Sequence, residues 1–360
     1  MLRALEFKRP DVMPSYDNFW QEFVDQWRRW KGFPADGRVA SVPESAPSQW
    51  DIYEYYDNDV RIAAADETFW PSKATVLAPA GDHLRERDGW GRVVRKHGAF
   101  TVTETPAMPA ECRDPDSLVF EPVVMESRYR EFDRLVAAEK DARCVFAKIG
   151  GPFIRISFLR GMETWLMDIV AHEGFARALA DMVCDHLLRM GIESLRRSGL
   201  WDTGIWIYDD MASNIGPLMS PRSFERVFLP GYVRLIRELK AAGARHVCFH
   251  SDGDIRELLP MLIEAGISAV NPVEFKGNMR VAPLLEKYGD RLAYIGAVDN
   301  THIMPRATDD EFRLHVDEIL AAGRDGGVVI GADTLAPDVS PRRYEDYRRQ
   351  IRPDWRPPAW

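Results

Sequence analysis

The stretch HVCFHSDGDI (246–255) runs from apolar residues straight into His250, Ser251, Asp252, Gly253 and Asp254. An imidazole and a carboxylate one residue apart can share a metal ion or pass a proton. The imidazole titrates near neutrality and the carboxylate offers a hard, anionic oxygen. Asp254 is read instead as a helix N-cap, a position that aspartate favours. Similar polar endings recur along the chain. IWIY is followed by Asp209 and Asp210, AVNPV by Glu274, YIGAV by Asp299, and VVIGA by Asp333 and Thr334. Five or more carboxylates at one place repel one another unless a cation, a cationic substrate or protonation offsets them. His250, Asp252 and Asp209 are therefore the candidate catalytic groups. Asp210, Glu274 and Asp299 are candidates for substrate binding. His246 opens its apolar run, at the far end from these groups, and is read as structural. His186, inside a helical pattern, and Cys248, in mid-strand, are read the same way.

The elements that must position these groups are legible from about residue 141 onward. Short apolar runs at 144–150, 205–210, 246–250, 267–274, 292–299 and 326–333 read as strands. They alternate with helical patterns at 172–199, 220–243, 254–266, 281–289, 308–323 and 340–351. Ser220, Pro221 and Gly243 supply the start and stop signals of the second helix, and Pro260 is placed to bend the third. Near-continuous apolar strands alternating with helices imply parallel strands covered by helices. At least six such units, with no glycine-rich phosphate turn, favour a (β/α)8 TIM barrel over an open sheet. In that architecture the loops after the strands build the active site, so the polar endings converge on one mouth. The reading is one domain, 1–360, in which residues 1–140 hold irregular additions. These include a helix at 17–30 capped by Asp17, with Phe19, Phe23, Trp27 and Trp30 on one face, and a hairpin at 93–104 turning at His97-Gly98. Trp20, Trp27, Trp70 and Trp90 are candidates to line an aromatic pocket.

Composition narrows the class. The 360 residues are 46% hydrophobic, enough for a large core, and the net charge of -9 comes with no basic run. Nucleic-acid binding and a polybasic membrane patch are therefore not expected. The four cysteines form no CxxC pair, which fits a reducing compartment. Charges stand where a signal peptide needs an apolar core, and no run approaches a membrane span. A cytoplasmic protein is expected.

Several segments carry a family signature: RALEFKRPDVMP (3–14), DGWGRVVRKHG (88–98), KIGGPFIRISFLRGMETWLMDIV (148–170), YDDMASNIGPLMSPRSFERVFLPGY (208–232), the 246–274 stretch, YGDRLAYIGAVDN (288–300) and ADTLAPDVSP (332–341). Through them the chain resembles the uroporphyrinogen decarboxylase superfamily, and within it the methyltransferases that serve corrinoid proteins. The resemblance implies a (β/α)8 barrel. That methyltransferase branch carries a zinc-binding His-x-Cys pair followed by Gly at this strand end, and a second Cys near the last strand. Here those positions fall on His250, Asp252 and Gly253, and at or next to Asp333. The implied metal ligands are thus His250, Asp252 and Asp333, with oxygen replacing both thiolates. Such ligands leave zinc more Lewis-acidic and suit activation of a methyl–oxygen or methyl–nitrogen bond. The implied cofactors are zinc and a cobalamin carried by a partner corrinoid protein. The implied donor is a small methylated compound, an aryl methyl ether first and a methylamine or betaine second. Superfamily relatives include dimers, so a homodimer is among the expectations.

The arginine-bearing N-terminal segment that grips porphyrinogen carboxylates has no counterpart here, and an acidic mouth is a poor host for such a substrate. A decarboxylase of another acid is the second reading, with Arg155 or Arg160 binding its carboxylate. Arg160 equally suits a phenolate or the corrinoid partner. A barrel kept as a binding protein is the third.

Overall fold

Eight parallel strands form one sheet that curls into a barrel: β1 (Ser15–Phe19), β2 (Val60–Ala64), β3 (Cys144–Gly150), β4 (Gly204–Tyr208), β5 (His246–His250), β6 (Ala269–Val273), β7 (Ala293–Ala297) and β8 (Val328–Leu335). Each pairs with its neighbour in sequence from β2 through β8, and β8 pairs with β1. This computed structural model describes residues 1–33, 52–80, 83–97, 100–274 and 278–358. Helices separate the later strands, as a (β/α)8 barrel requires.

The seam between β1 and β2 is closed by side chains. The Asp59 carboxylate accepts from the Ser15 amide at 2.8 Å and its hydroxyl at 3.2 Å. Arg348, fully buried, donates to Ser15 Oγ at 2.6 Å and to Asn58 Oδ1 at 3.3 Å.

Strand alternation sorts residues between two cores. Tyr16, Ile62, Phe146, Trp206, Cys248 and Ile295 belong to a cluster that fills the barrel. Val145, Ile205, Val247, Phe249 and Val270 join the second cluster, which lies between strands and helices. The same parity directs Lys148, Tyr208, His250 and Asn271 inward, one layer above the apolar filling. Register fixes three of them side by side: Tyr208 pairs with His250, and His250 with Asn271.

The sequence reading departs from the structure mainly near the N-terminus. Residues 15–19 are strand β1, and the helix starts only at Gln21. Asp17 caps nothing. Its buried carboxylate accepts from the Ala332 amide at 2.6 Å and the Tyr344 hydroxyl at 3.1 Å. Pairing with β8 overrides the local helical pattern. Trp27 is buried in that helix, whereas Trp30 is exposed. The 220–243 pattern forms two helices, Pro221–Val227 and Leu229–Ala241, broken just before Pro230, and Ser220 does cap the first. Pro260 lies in the first turn of a shorter helix, Leu259–Ala265, where its missing amide donor is tolerated. Strands Val93–His97 and Phe100–Thr105 pair antiparallel, as the hairpin reading requires; Gly98 at its turn lies outside the described residues. They extend a four-stranded antiparallel sheet beside the barrel. Among the described residues, no helix is long and apolar enough to cross a membrane.

Candidate functional site

Asp210, His250 and Asp252 each offer a ligand atom, and these atoms lie within 4.8 Å of one another. His250 Nε2 stands 3.4 Å from Asp210 Oδ1 and 3.5 Å from Asp252 Oδ1. All three residues sit where β4 and β5 end, at the mouth. The imidazole is buried, and both carboxylates are about half exposed.

Neighbours fix the imidazole. Its Nδ1 lies 2.6 Å from Asn271 Oδ1, and Asn271 Nδ2 donates to the Ile295 carbonyl at 3.4 Å. The amide oxygen can only accept, so the Nδ1 proton points to Asn271 and Nε2 is left facing the carboxylates. The Tyr208 ring stacks on the imidazole at 4.2 Å between centroids, inclined by 19°. Tyr208 is held in turn by Tyr16, hydroxyl to hydroxyl at 2.9 Å, and Asn18 donates to Tyr16 Oη at 2.9 Å.

The loop is fixed as tightly. The Asp252 amide donates to Asp210 Oδ1 at 3.1 Å, and the Gly253 amide to Glu274 Oε2 at 2.7 Å. Gly253 has φ +84, and a Cβ there would meet the Ser213 carbonyl oxygen at 2.6 Å. Any other residue would push the loop away from the short hairpin at 212–217.

The charges are strained against one another. Burial lowers the proton affinity of His250, but Asp210, Asp333 and Asp252 outweigh it and hold the imidazole above its ordinary value. Burial, joined by the charges of Asp333, Asp210 and Glu274, pushes Asp252 up to about 7 despite the opposing His250. A carboxylate raised by burial and, beyond that, by like-charged neighbours marks a place where a cation would be welcome. One imidazole and two carboxylates form a hard donor set, which fits zinc or another divalent ion of similar preference.

The sequence-predicted residues divide clearly. His250 and Asp252 come together, and Asp210, expected to bind substrate, joins them as the third ligand candidate. Asp333, expected as a ligand, is buried close by and acts on both through its charge, but it is outside the group that can share one ion. Asp209 is turned away from the mouth. Its carboxylate accepts from the amides of Phe153 at 3.0 Å and Ile154 at 2.6 Å and from the Tyr232 hydroxyl, anchoring the start of helix Pro152–Arg160. Glu274 steadies Gly253. Asp299 accepts from the Thr301 and His302 amides at 2.9 and 2.8 Å and so shapes its own turn. Arg160 is fully buried, ion-paired with Asp168 at 2.5 Å and donating to the carbonyls of Pro109, Ala110 and Cys112. It has no guanidinium edge left for a substrate. His186 is buried with Nε2 2.8 Å from the Glu67 carbonyl, a structural role as expected.

Sequence reasoning missed Lys148, Tyr208 and Asn271. Each is a polar or polar-tipped residue at an inward position of a largely apolar strand, so period-two parity carried the signal.

The family model described as Uroporphyrinogen decarboxylase (URO-D) matches residues 100–342, more than half of the chain. The chain belongs to this family. The match spans strands β3 to β8 and so includes every ligand candidate. Among solved structures, a methyltransferase from Methanosarcina mazei is similar, with a TM-score of 0.61, 12% identity, and coverage of 97% of this chain and 96% of that one. At such low identity this likeness shows the shared fold alone. No curated protein sequence matches the chain.

Asn271 offers a direct check on how the site is held. Asn271→Leu removes the Nδ1 partner and frees the imidazole to change tautomer. Affinity for zinc is expected to fall by about 10- to 100-fold, the usual effect of losing a ligand's supporting hydrogen bond. Competition titration with a coloured chelator reads this out. Unchanged affinity would remove Asn271 from the account.

Proposed function

We propose that the protein is a methyltransferase that demethylates a small methylated compound, an aryl methyl ether foremost, onto a corrinoid protein. The observation that carries this reading is the hard donor group Asp210–His250–Asp252 at the barrel mouth. Two of its members, His250 and Asp252, are positions at which the resemblance to the methyltransferase branch implies zinc ligands; Asp210 replaces Asp333 as the third. The family membership and the methyltransferase neighbour, which shares the fold, support methyl transfer as the reaction class.

A divalent cation held here would supply Lewis acidity to the ether oxygen, and a reduced corrinoid on the partner would supply the methyl acceptor. The chain's own residues do the rest. Asn271 keeps Nε2 of His250 directed at the ligand position. Tyr208 fixes the plane of the ring. Glu274 and Gly253 hold Asp252 at the rim, and Asp333 adds charge from behind. With no cation bound, His250 and Asp252, both raised in proton affinity, would instead hold the proton that the departing oxygen takes up.

The chemistry can be tested with 4-methoxybenzoate, cob(I)alamin and zinc-loaded protein. Formation of 4-hydroxybenzoate that depends on both protein and cob(I)alamin is the expected result. Carbon dioxide release without cob(I)alamin would favour the second reading, decarboxylation, for which the cationic pair Lys148 and Arg155 beside the mouth is the relevant observation.

A further inference from the structure

Strands β1 and β8 close the barrel, and their pairing is irregular beside the ligand group. Ser15 pairs with Ile330, and Asp17 with Asp333. Between these pairs β1 has one residue, Tyr16, and β8 has two, Gly331 and Ala332. The extra residue makes a bulge. Bulges concentrate next to active sites, where they re-aim a side chain. The strands approach closely here, since a Cβ on Gly331 would collide with the Tyr16 carbonyl oxygen.

A bulge takes main-chain polar groups out of the ladder, and buried ones must find other partners. Two side chains supply them. Tyr16 belongs to the barrel filling and Phe19 to the core under the helices, so Asp17 faces outward by strand alternation. There its carboxylate accepts from the Ala332 amide at 2.6 Å. The Tyr344 hydroxyl, on helix Pro341–Ile351, donates to its other oxygen at 3.1 Å, and the Arg348 charge acts on it as well. From the other side Asn300, in the loop after β7, donates to the carbonyls of Ala332 at 2.9 Å and Thr334 at 3.1 Å. The chain is therefore gripped both before and after Asp333.

The gripped residue has a strained backbone. Asp333 has φ +54, a left-handed conformation that residues other than glycine rarely adopt. Such strain persists only where the surroundings fix it. Its register partner Asp17 sends a carboxylate outward, but Asp333 does the reverse. Its charge acts on Tyr16 and Tyr208 inside the barrel and on His250 and Asp252 at the mouth.

We propose that Asp17 and Asn300 are positioning residues: gripping the β8 bulge from opposite sides, they hold Asp333 in its left-handed turn and aim its carboxylate at the Asp210–His250–Asp252 group. Asp17 acts on that group only through the Ala332 amide and Asp333, and it ties helix Pro341–Ile351 to the mouth. The consequence for turnover rests on the methyl-transfer reading; the clamp itself does not.

The test follows the His250 imidazole by NMR in metal-free protein labelled at histidine, with His250→Gln identifying its signal. Burial works against the charged imidazole, and Asp210, Asp333 and Asp252 work for it. Asp333→Asn is therefore expected to lower its titration midpoint by about half a pH unit or more. Asp17→Leu and Asn300→Ala should lower it to a similar extent, because Asp333 is released from its turn. Adding Asp17→Leu to Asp333→Asn should bring no further fall. Asp17→Asn keeps an acceptor for the Ala332 amide and should retain the wild-type midpoint, although it loses the charge beside Arg348. Thermal unfolding establishes that each variant folds. A merely structural Asp17 would lower stability in both of its variants and leave both midpoints in place. A wild-type midpoint in folded Asp17→Leu, in Asn300→Ala or in Asp333→Asn would overturn the proposal. If Asp17→Leu does not fold, Asn300→Ala decides. No metal or substrate enters the measurement, so failure of the methyl-transfer reading leaves its outcome unaffected.

Discussion

Asp252→Asn is expected to lower methyl-transfer turnover by at least about 100-fold while leaving the barrel folded. The side chain is half exposed and contributes nothing to the core, so the substitution should act on chemistry alone. The amide retains the shape and loses the charge. One anionic ligand disappears from the group around His250, and so does a group that can carry a proton at neutral pH. The Asp252 main-chain bond to Asp210 survives, because it uses the amide nitrogen. Turnover measured at saturating zinc separates the two losses: recovery at high zinc identifies a ligand role, and persistent loss identifies proton delivery. Asp252→Cys sharpens the comparison. A thiolate should tighten zinc binding and make the ion less Lewis-acidic, slowing attack on an ether. Wild-type turnover in Asp252→Asn would remove this residue from the mechanism.

Asp168→Asn is expected to destabilise the protein by about 3–5 kcal/mol, the range for stripping one partner from a buried ion pair. Arg160 and Asp168 have almost no exposed side-chain surface. The guanidinium donates twice to Asp168 and otherwise only to main-chain carbonyls. Without the carboxylate its charge remains buried and uncompensated. Arg113, which also reaches Asp168 at 3.2 Å, loses its partner at the same time. Urea denaturation should show a lower midpoint with an unchanged slope. Binding of 4-methoxybenzoate by the folded variant should be unaltered, because the Arg160 guanidinium is committed to Asp168 and main-chain carbonyls. A substrate-binding role for Arg160 would instead show as weakened binding with little change in stability.

Arg160 and Asp209 show where sequence reasoning about this barrel stops. Asp209 directly follows a strand and Arg160 ends the helix after one, and both are of types used by active sites. Their side chains nevertheless turn outward, into helix-capping and loop-anchoring bonds, a choice set by tertiary partners such as Tyr232 and Asp168 that no local pattern reveals. His250 was legible because strand parity and a strand terminus act locally: an inward residue at the C-terminal end of a buried strand must face the mouth. Asp210 was placed at the mouth for the same reason, but its distance to His250 depends on β4 and β5 being neighbours in register. Strands β3 to β8 were visible as apolar runs. β1 and β2 were not, since SYDNF and VRIAA carry polar residues whose burial depends on partners remote in sequence, Asp59, Arg348 and Tyr344 for Ser15 and Asp17, and Glu139 for Arg61. Lys148 and Asn271 broke the apolar pattern of their strands, and that break was the readable clue.

The most direct test of the metal-assisted account is the metal content of purified, tag-free protein after zinc loading and desalting, with His250→Ala in parallel. The account predicts about one zinc per wild-type chain and almost none in the variant, with both proteins equally folded. Wild-type protein that retains no zinc, or a variant that retains as much as the wild type, would contradict it.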